Sequence, residues 1–134
     1  MSVRCVIVTN NPLVRQRYGG TRDVAFVDGS YMDVLTQVRD RVHQGHRLLT
    51  HPLSGSVKPG ETPYKSVMIA AKRGTMDVQS LAIIEEAIAA ARKFRDKTVG
   101  LPPRVLQDFQ LVDFTLIDSA LPSAGASVCA SVQS

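Results

Sequence analysis

The stretch Val3-Arg4-Cys5-Val6-Ile7-Val8-Thr9-Asn10-Asn11-Pro12, VRCVIVTNNP, decides how the rest of the chain is read. Val3 to Val8 is a short run rich in β-branched residues and reads as a buried strand. Thr9-Asn10-Asn11-Pro12 ends it. Asn11 suits the N-cap of a following helix, and Pro12 suits its first position, where the missing N–H would be orphaned anyway. A buried strand running straight into a short helix is the opening of a layered α/β domain.

The pattern continues outward from there. Gly19-Gly20 stops the first helix, and Val24–Val27 forms a second short strand that ends at Asp28-Gly29. Ser30 with Asp33 resembles a capping box. Behind it, Tyr31, Leu35, Val38 and Val42 make one apolar stripe at helical spacing as far as about residue 44. Gly45 suits the left-handed position after the helix. Arg47–Thr50 reads as a third strand and Val67–Ala71 as a fourth, with a long polar loop between them. Thr75 or Asp77 caps a helix over 77–95. A last helix, 103–120, carries Val105, Phe109, Val112 and Leu116 on its apolar side, with Leu106 and Ile117 adjacent. The expected fold is therefore a single α/β domain over 1–121, with a mainly parallel, roughly four-stranded sheet flanked by helices. The loop leaves the direction of the fourth strand open. Residues 122–134, PSAGASVCASVQS, are small and polar, and read as a tail or a weak edge strand.

Composition narrows the function classes. Of 134 residues 44% are hydrophobic and 21% charged, which is ordinary for a globular protein. No apolar run reaches membrane-spanning length, the N-terminus lacks a cleavage site, and the cytoplasm is the default location. Two cysteines, Cys5 and Cys129, do not suggest a disulfide scaffold. All 16 Lys and Arg lie in residues 1–104 together with nine acids, a net +7, while Asp108, Asp113 and Asp118 give −3 to the remainder. Basic and acidic residues are mixed along the first hundred residues, tryptophan is absent and aromatics are 5%. Base stacking needs aromatic platforms, so nucleic acid is not an expected partner.

In an open parallel sheet, ligands bind beyond the carboxyl ends of the strands. Three polar segments fall at those ends: Asn10-Asn11, Asp28-Gly29-Ser30, and Thr50-His51 leading into HPLSGSVKPGETPYKS. Asn11 and Ser30 are equally well explained as caps, and Asp28-Gly29 as a turn. In the loop, Ser54-Gly55-Ser56 offers backbone donors, and Lys58 and Lys65 add charge, as an anion site requires. Neither GxxxxGK[ST] nor GxGxxG occurs, so no nucleotide cofactor is implied. His43, His46 and His51 lack nearby acidic or cysteine ligands, and no metal site is expected. His51 is the one candidate acid or base, without an acidic orienter. Because Lys58 and Lys65 belong to no apolar stripe, replacing both with methionine is expected to weaken anion binding and leave the fold intact.

TNNPLV, FVDGSYMDVL, VRDRVHQGHRLLTHPLSGSVKPGETPYKS and LAIIEEAI together resemble the GrdX proteins, over residues 5–95; residues 97–134 match no pattern of that family. The resemblance implies a small accessory protein associated with glycine, sarcosine or betaine reductases, with reductase subunits as partners and no assigned catalytic residue. The leading reading is an accessory protein holding an anionic group at the sheet rim through Asn10, Asn11, Asp28, Ser30, His51, Ser54, Gly55, Ser56, Lys58 and Lys65. The alternative is an enzyme acting on a small phosphorylated or carboxylated metabolite, with His51 as acid or base. A homodimer is compatible with either.

Overall fold

Cys5–Thr9 forms β1, the middle strand of the sheet in a computed structural model that describes residues 4–53 and 58–121. It pairs in parallel with β2 (Val24–Phe26), Ile7 opposite Val24 and Thr9 opposite Phe26. On its other side it pairs antiparallel with β3 (Ser66–Ala70), Cys5 opposite Ala70 and Thr9 opposite Ser66. The helices are α1 (Pro12–Tyr18), α2 (Tyr31–His43), α3 (Val78–Arg92) and α4 (Pro103–Ala120).

The sheet is three-stranded and mixed, which corrects the expectation of four mainly parallel strands. Two local causes account for this. The chain between Thr50 and Ser66 contains no helix among its described residues, and an antiparallel return needs no crossover helix. The segment 47–50 follows the outer edge of β3 but does not complete a ladder. Its one bridge is Leu48 with Ile69. Leu49 N and Thr50 N both donate to the Met68 carbonyl, at 2.8 and 3.3 Å, while the Thr50 hydroxyl accepts from Met68 N. Leu48 N turns away to the Ser80 hydroxyl at 3.0 Å. Replacing Ser80 with alanine leaves that amide without its acceptor. The expected loss is about 1–2 kcal/mol, read as a lower urea midpoint at unchanged slope.

Alternation along β1 sends side chains to both faces. Val6 and Val8, with Val67 and Ile69, pack on α2 and α3 through Val34, Leu35, Val38, Val42, Ile84 and Ile88. Cys5 and Ile7, with Met68, pack on α1 and α4 through Val14, Tyr18, Ile117 and Leu121. The architecture is therefore helix pair, sheet, helix pair, with β1 buried on both sides.

Several ends follow local chemistry. The Asn11 side chain accepts from Leu13 N, and Ser30 with Asp33 makes a reciprocal capping box. Asp77 caps α3. Gly45 has φ +106°, with Gly45 N bonded to Val42 O and His46 N to Arg41 O. That pairing is the Schellman closure. In α4 the buried positions are Asp113 and Ile117, whereas Val112 is 38% exposed. The helix is thus turned about one residue from the stripe expected at 105, 109, 112 and 116. Among the described residues, no helix is long and apolar enough to cross a membrane. The tail at 122–134 lies outside the described residues.

Candidate functional site

β1 ends at the rim where β3 begins, so Thr9-Asn10-Asn11 and Lys65-Ser66 meet there. Asn10 is almost fully buried. Its amide nitrogen donates to the carbonyls of Gly29 (3.0 Å) and Pro63 (2.8 Å), and its side-chain oxygen accepts from Lys65 N (2.9 Å). One short side chain therefore ties the strand end to the turn before α2 and to the chain entering β3.

Beyond Asn10 lies a cleft of about 310 Å³. Its floor is Asn10 with Gly29 and Ser30. Tyr31 and Met32 of α2 form one wall, and Pro59, Gly60, Thr62, Pro63 and Tyr64 the second. The last residue of α3, Arg92, and alternate residues after it, Phe94, Asp96 and Thr98, close the third. Gly60 sits where only glycine suits, at φ +89° against the Arg95 carbonyl, and its own carbonyl accepts from Lys97 N at 2.8 Å. That contact holds two walls together. Burial pushes the Tyr31 phenol up to about 12, with the Asp113 charge adding to it. Asp96 accepts from both Thr98 N and the Thr98 hydroxyl, which hold its carboxyl below the usual range.

A second polar group lies on the α4 side of the rim. Asp113 Oδ2 accepts from the Asn11 amide at 3.0 Å and from the Ser66 hydroxyl at 2.7 Å. The Ser66 hydroxyl also meets the Thr9 hydroxyl at 2.7 Å, and the Asn11 amide also donates to Gln110 O. Lys65 is buried nearby. Burial raises the Asp113 carboxyl above its ordinary value, although the Asn11 and Ser66 bonds and the Lys65 charge pull the other way. Burial lowers the Lys65 ammonium, against the pull of Asp113.

Four of the sequence-predicted residues are divided between these two places. Asn10 and Ser30 reach the cleft, Ser30 with its hydroxyl committed to the Asp33 amide. Asn11 and Lys65 belong to the buried group around Asp113. Asp28 and Lys58 are exposed and outside the cleft lining. His51 is also exposed, its Nδ1 accepting from Leu53 N at 3.1 Å, as in a local turn. His46 is buried with Nδ1 2.8 Å from the Ala70 carbonyl, a structural contact. Ser54, Gly55 and Ser56 lie outside the described residues. The premise that Lys58 and Lys65 are equally dispensable is corrected at Lys65, which is 7% exposed beside a buried carboxyl.

Asp113, Arg92 and Phe94 were not singled out as site residues from the sequence. A signal existed for Asp113, an acid four residues from both Phe109 and Ile117 within an apolar row. For Arg92 none existed, since it reads as a cation favoured at a helix C-terminus.

A three-layer α/β protein with a largely apolar cleft beyond the end of its central strand is the class these features define. The sequence model of the family described as GrdX-like protein matches residues 6–122, and the chain belongs to that family. The match runs past residue 95 to include α4 and Asp113, further than the motifs of the resemblance reach. No curated protein and no solved structure matched the chain.

Proposed function

We propose that this chain is an accessory binding protein of a glycine or betaine reductase-type system, and that its cleft holds an anionic group against Arg92. The family supports the context, since GrdX-like membership implies association with such systems. The observation that carries the binding role is Arg92 itself. It lines the cleft and makes no ion pair with any described residue. Asn10 and Gly60 keep the walls in place, and Tyr31, Tyr64 and Phe94 supply aromatic surface beside the cation. A mostly apolar concavity with a few convergent polar groups is the usual form of a ligand site. Its volume lies at the lower end of the usual range.

The His51 acid–base alternative draws no support from the described geometry. Among the described residues, His51 does not line the cleft beyond Asn10, and its Nδ1 accepts from Leu53 N.

Titration calorimetry with glycine, betaine, butyrate and inorganic phosphate, together with an acidic peptide, tests the reading. At least one of these carboxylate or phosphate probes is expected to bind, and Arg92→Gln is expected to weaken it by about 10-fold or more, the value of a charged hydrogen bond. Binding by none of them, or equal binding to the variant, would defeat the proposal.

A further inference from the structure

The cleft is not the end of the positive charge. Arg92, Lys93, Arg95 and Lys97 stand within six residues, with Asp96 the one acid among them. All four cations are exposed. None makes an ion pair with a described residue. Asp96 is turned to Thr98 by two hydrogen bonds. Between these cations Phe94 lines the cleft and remains 43% exposed, a large apolar side chain left open in the middle of a basic run.

We infer that the cleft and the 92–97 run together form a docking surface for an acidic peptide segment of a partner protein, one that places a single apolar side chain in the cleft. The inference rests on the anion-binding reading above and commits it to a source. A small carboxylate would meet Arg92, the one cation in the cleft lining, and leave Lys93, Arg95 and Lys97 as they are. Neutralising four cations spread along the chain takes several carboxylates joined at similar spacing, which an extended acidic segment provides. The apolar walls then take an apolar occupant, because a carboxylate held at Arg92 leaves the surface of Tyr31, Met32, Pro59 and Phe94 uncovered. One anchoring side chain flanked by acids satisfies both demands. It also matches the common pattern of a buried apolar anchor inside a charged rim.

Fluorescence anisotropy with a labelled heptapeptide, three acidic residues on each side of a central leucine, tests this. A second heptapeptide carries glycine in place of the leucine. The leucine peptide is expected to bind about 10-fold more tightly than the glycine peptide. Phe94→Ala is expected to remove most of that difference. The triple variant Lys93→Gln, Arg95→Gln, Lys97→Gln is expected to weaken both peptides by about 10-fold and to flatten their salt dependence. Circular dichroism of each variant shows whether it remains folded, and all substituted side chains are surface-exposed. If butyrate or betaine binds in an Arg92-dependent way while the leucine peptide does not, the docking inference falls and the anion-binding reading stands. If no anionic probe binds, both fall. Equal affinity for the two peptides, or indifference to the triple variant, also overturns the inference.

Discussion

Replacing Asp113 with alanine is expected to lower the unfolding free energy by about 3 kcal/mol at neutral pH, the scale for removing one partner from a buried charged group. Asp113 is 7% exposed and accepts from the Ser66 hydroxyl, which also meets the neighbouring Thr9 hydroxyl. Alanine would remove the carboxyl that balances the buried Lys65 ammonium and one of the two acceptors used by the Asn11 amide. These contacts join α4 to the end of β1 and the start of β3, so the loss should reach beyond the helix itself. Urea unfolding followed by circular dichroism measures it as a fall in midpoint. Two comparisons sharpen the cause. Asp113→Asn keeps the shape and one acceptor and should cost less. Asp113→Leu combined with Lys65→Met removes both charges and should recover part of the loss, since the uncompensated charge rather than the missing bond dominates. If Asp113→Ala unfolds at the parent midpoint, the buried carboxyl does not hold α4.

The same residue sets the sign of a pH dependence. Its carboxyl is raised, so the folded state keeps the proton at pH values where the unfolded chain, near 4, has lost it. Between those values the folded state binds more protons, and stability falls as pH rises. Lys65 is lowered, so its folded form gives up the proton early, and its contribution rises as pH climbs from that lowered value toward about 10.4. The stability of the parent relative to Asp113→Asn should therefore be greatest near pH 4 and decrease toward neutral. A difference that grows toward neutral would reverse the assignment.

Much of the frame was legible because its causes are local. Val6, Ile7 and Val8 are β-branched and sit beside Thr9-Asn10-Asn11-Pro12, so strand, stop and cap are read within a dozen residues. Ser30 with Asp33, and Gly45 after the α2 stripe, are equally local. The segment 47–50 was misread as a full strand because its apolar residues look like one. What denies it a ladder is the hydroxyl of Ser80, 32 positions away from Leu48. Lys65 was taken for a loop cation for the same kind of reason. Its neighbours in sequence are polar, and its burial depends on α4. Asp113 meets Ser66 across 47 positions and Asn11 across 102. The cleft depends on the chain after α3 meeting Gly60, which no periodicity encodes.

Gly45→Ala is the second substitution expected to be severe, at about 3 kcal/mol or more, because strain and collision act together. At φ +106° the glycine occupies the left-handed region, which a β-carbon disfavours. The added carbon would also fall inside contact distance of the Gly74 carbonyl oxygen and 2.9 Å from Gly74 N. Those are backbone atoms and have no rotamer to adopt. Nor is Gly74 free to retreat, since its N–H donates to the Gly45 carbonyl at 3.1 Å. Movement at residue 45 would pass directly to His46, whose ring nitrogen holds the Ala70 carbonyl, and so to the edge segment along β3. Gly20 and Gly74 are the controls. Both have open space where a β-carbon would go and neither has positive φ, so alanine there should stay within about 0.5 kcal/mol of the parent. Urea midpoints of the three single variants decide the matter. Comparable midpoints for all three would mean that the turn after α2 relaxes freely, and that this closure does not constrain the position of the edge segment.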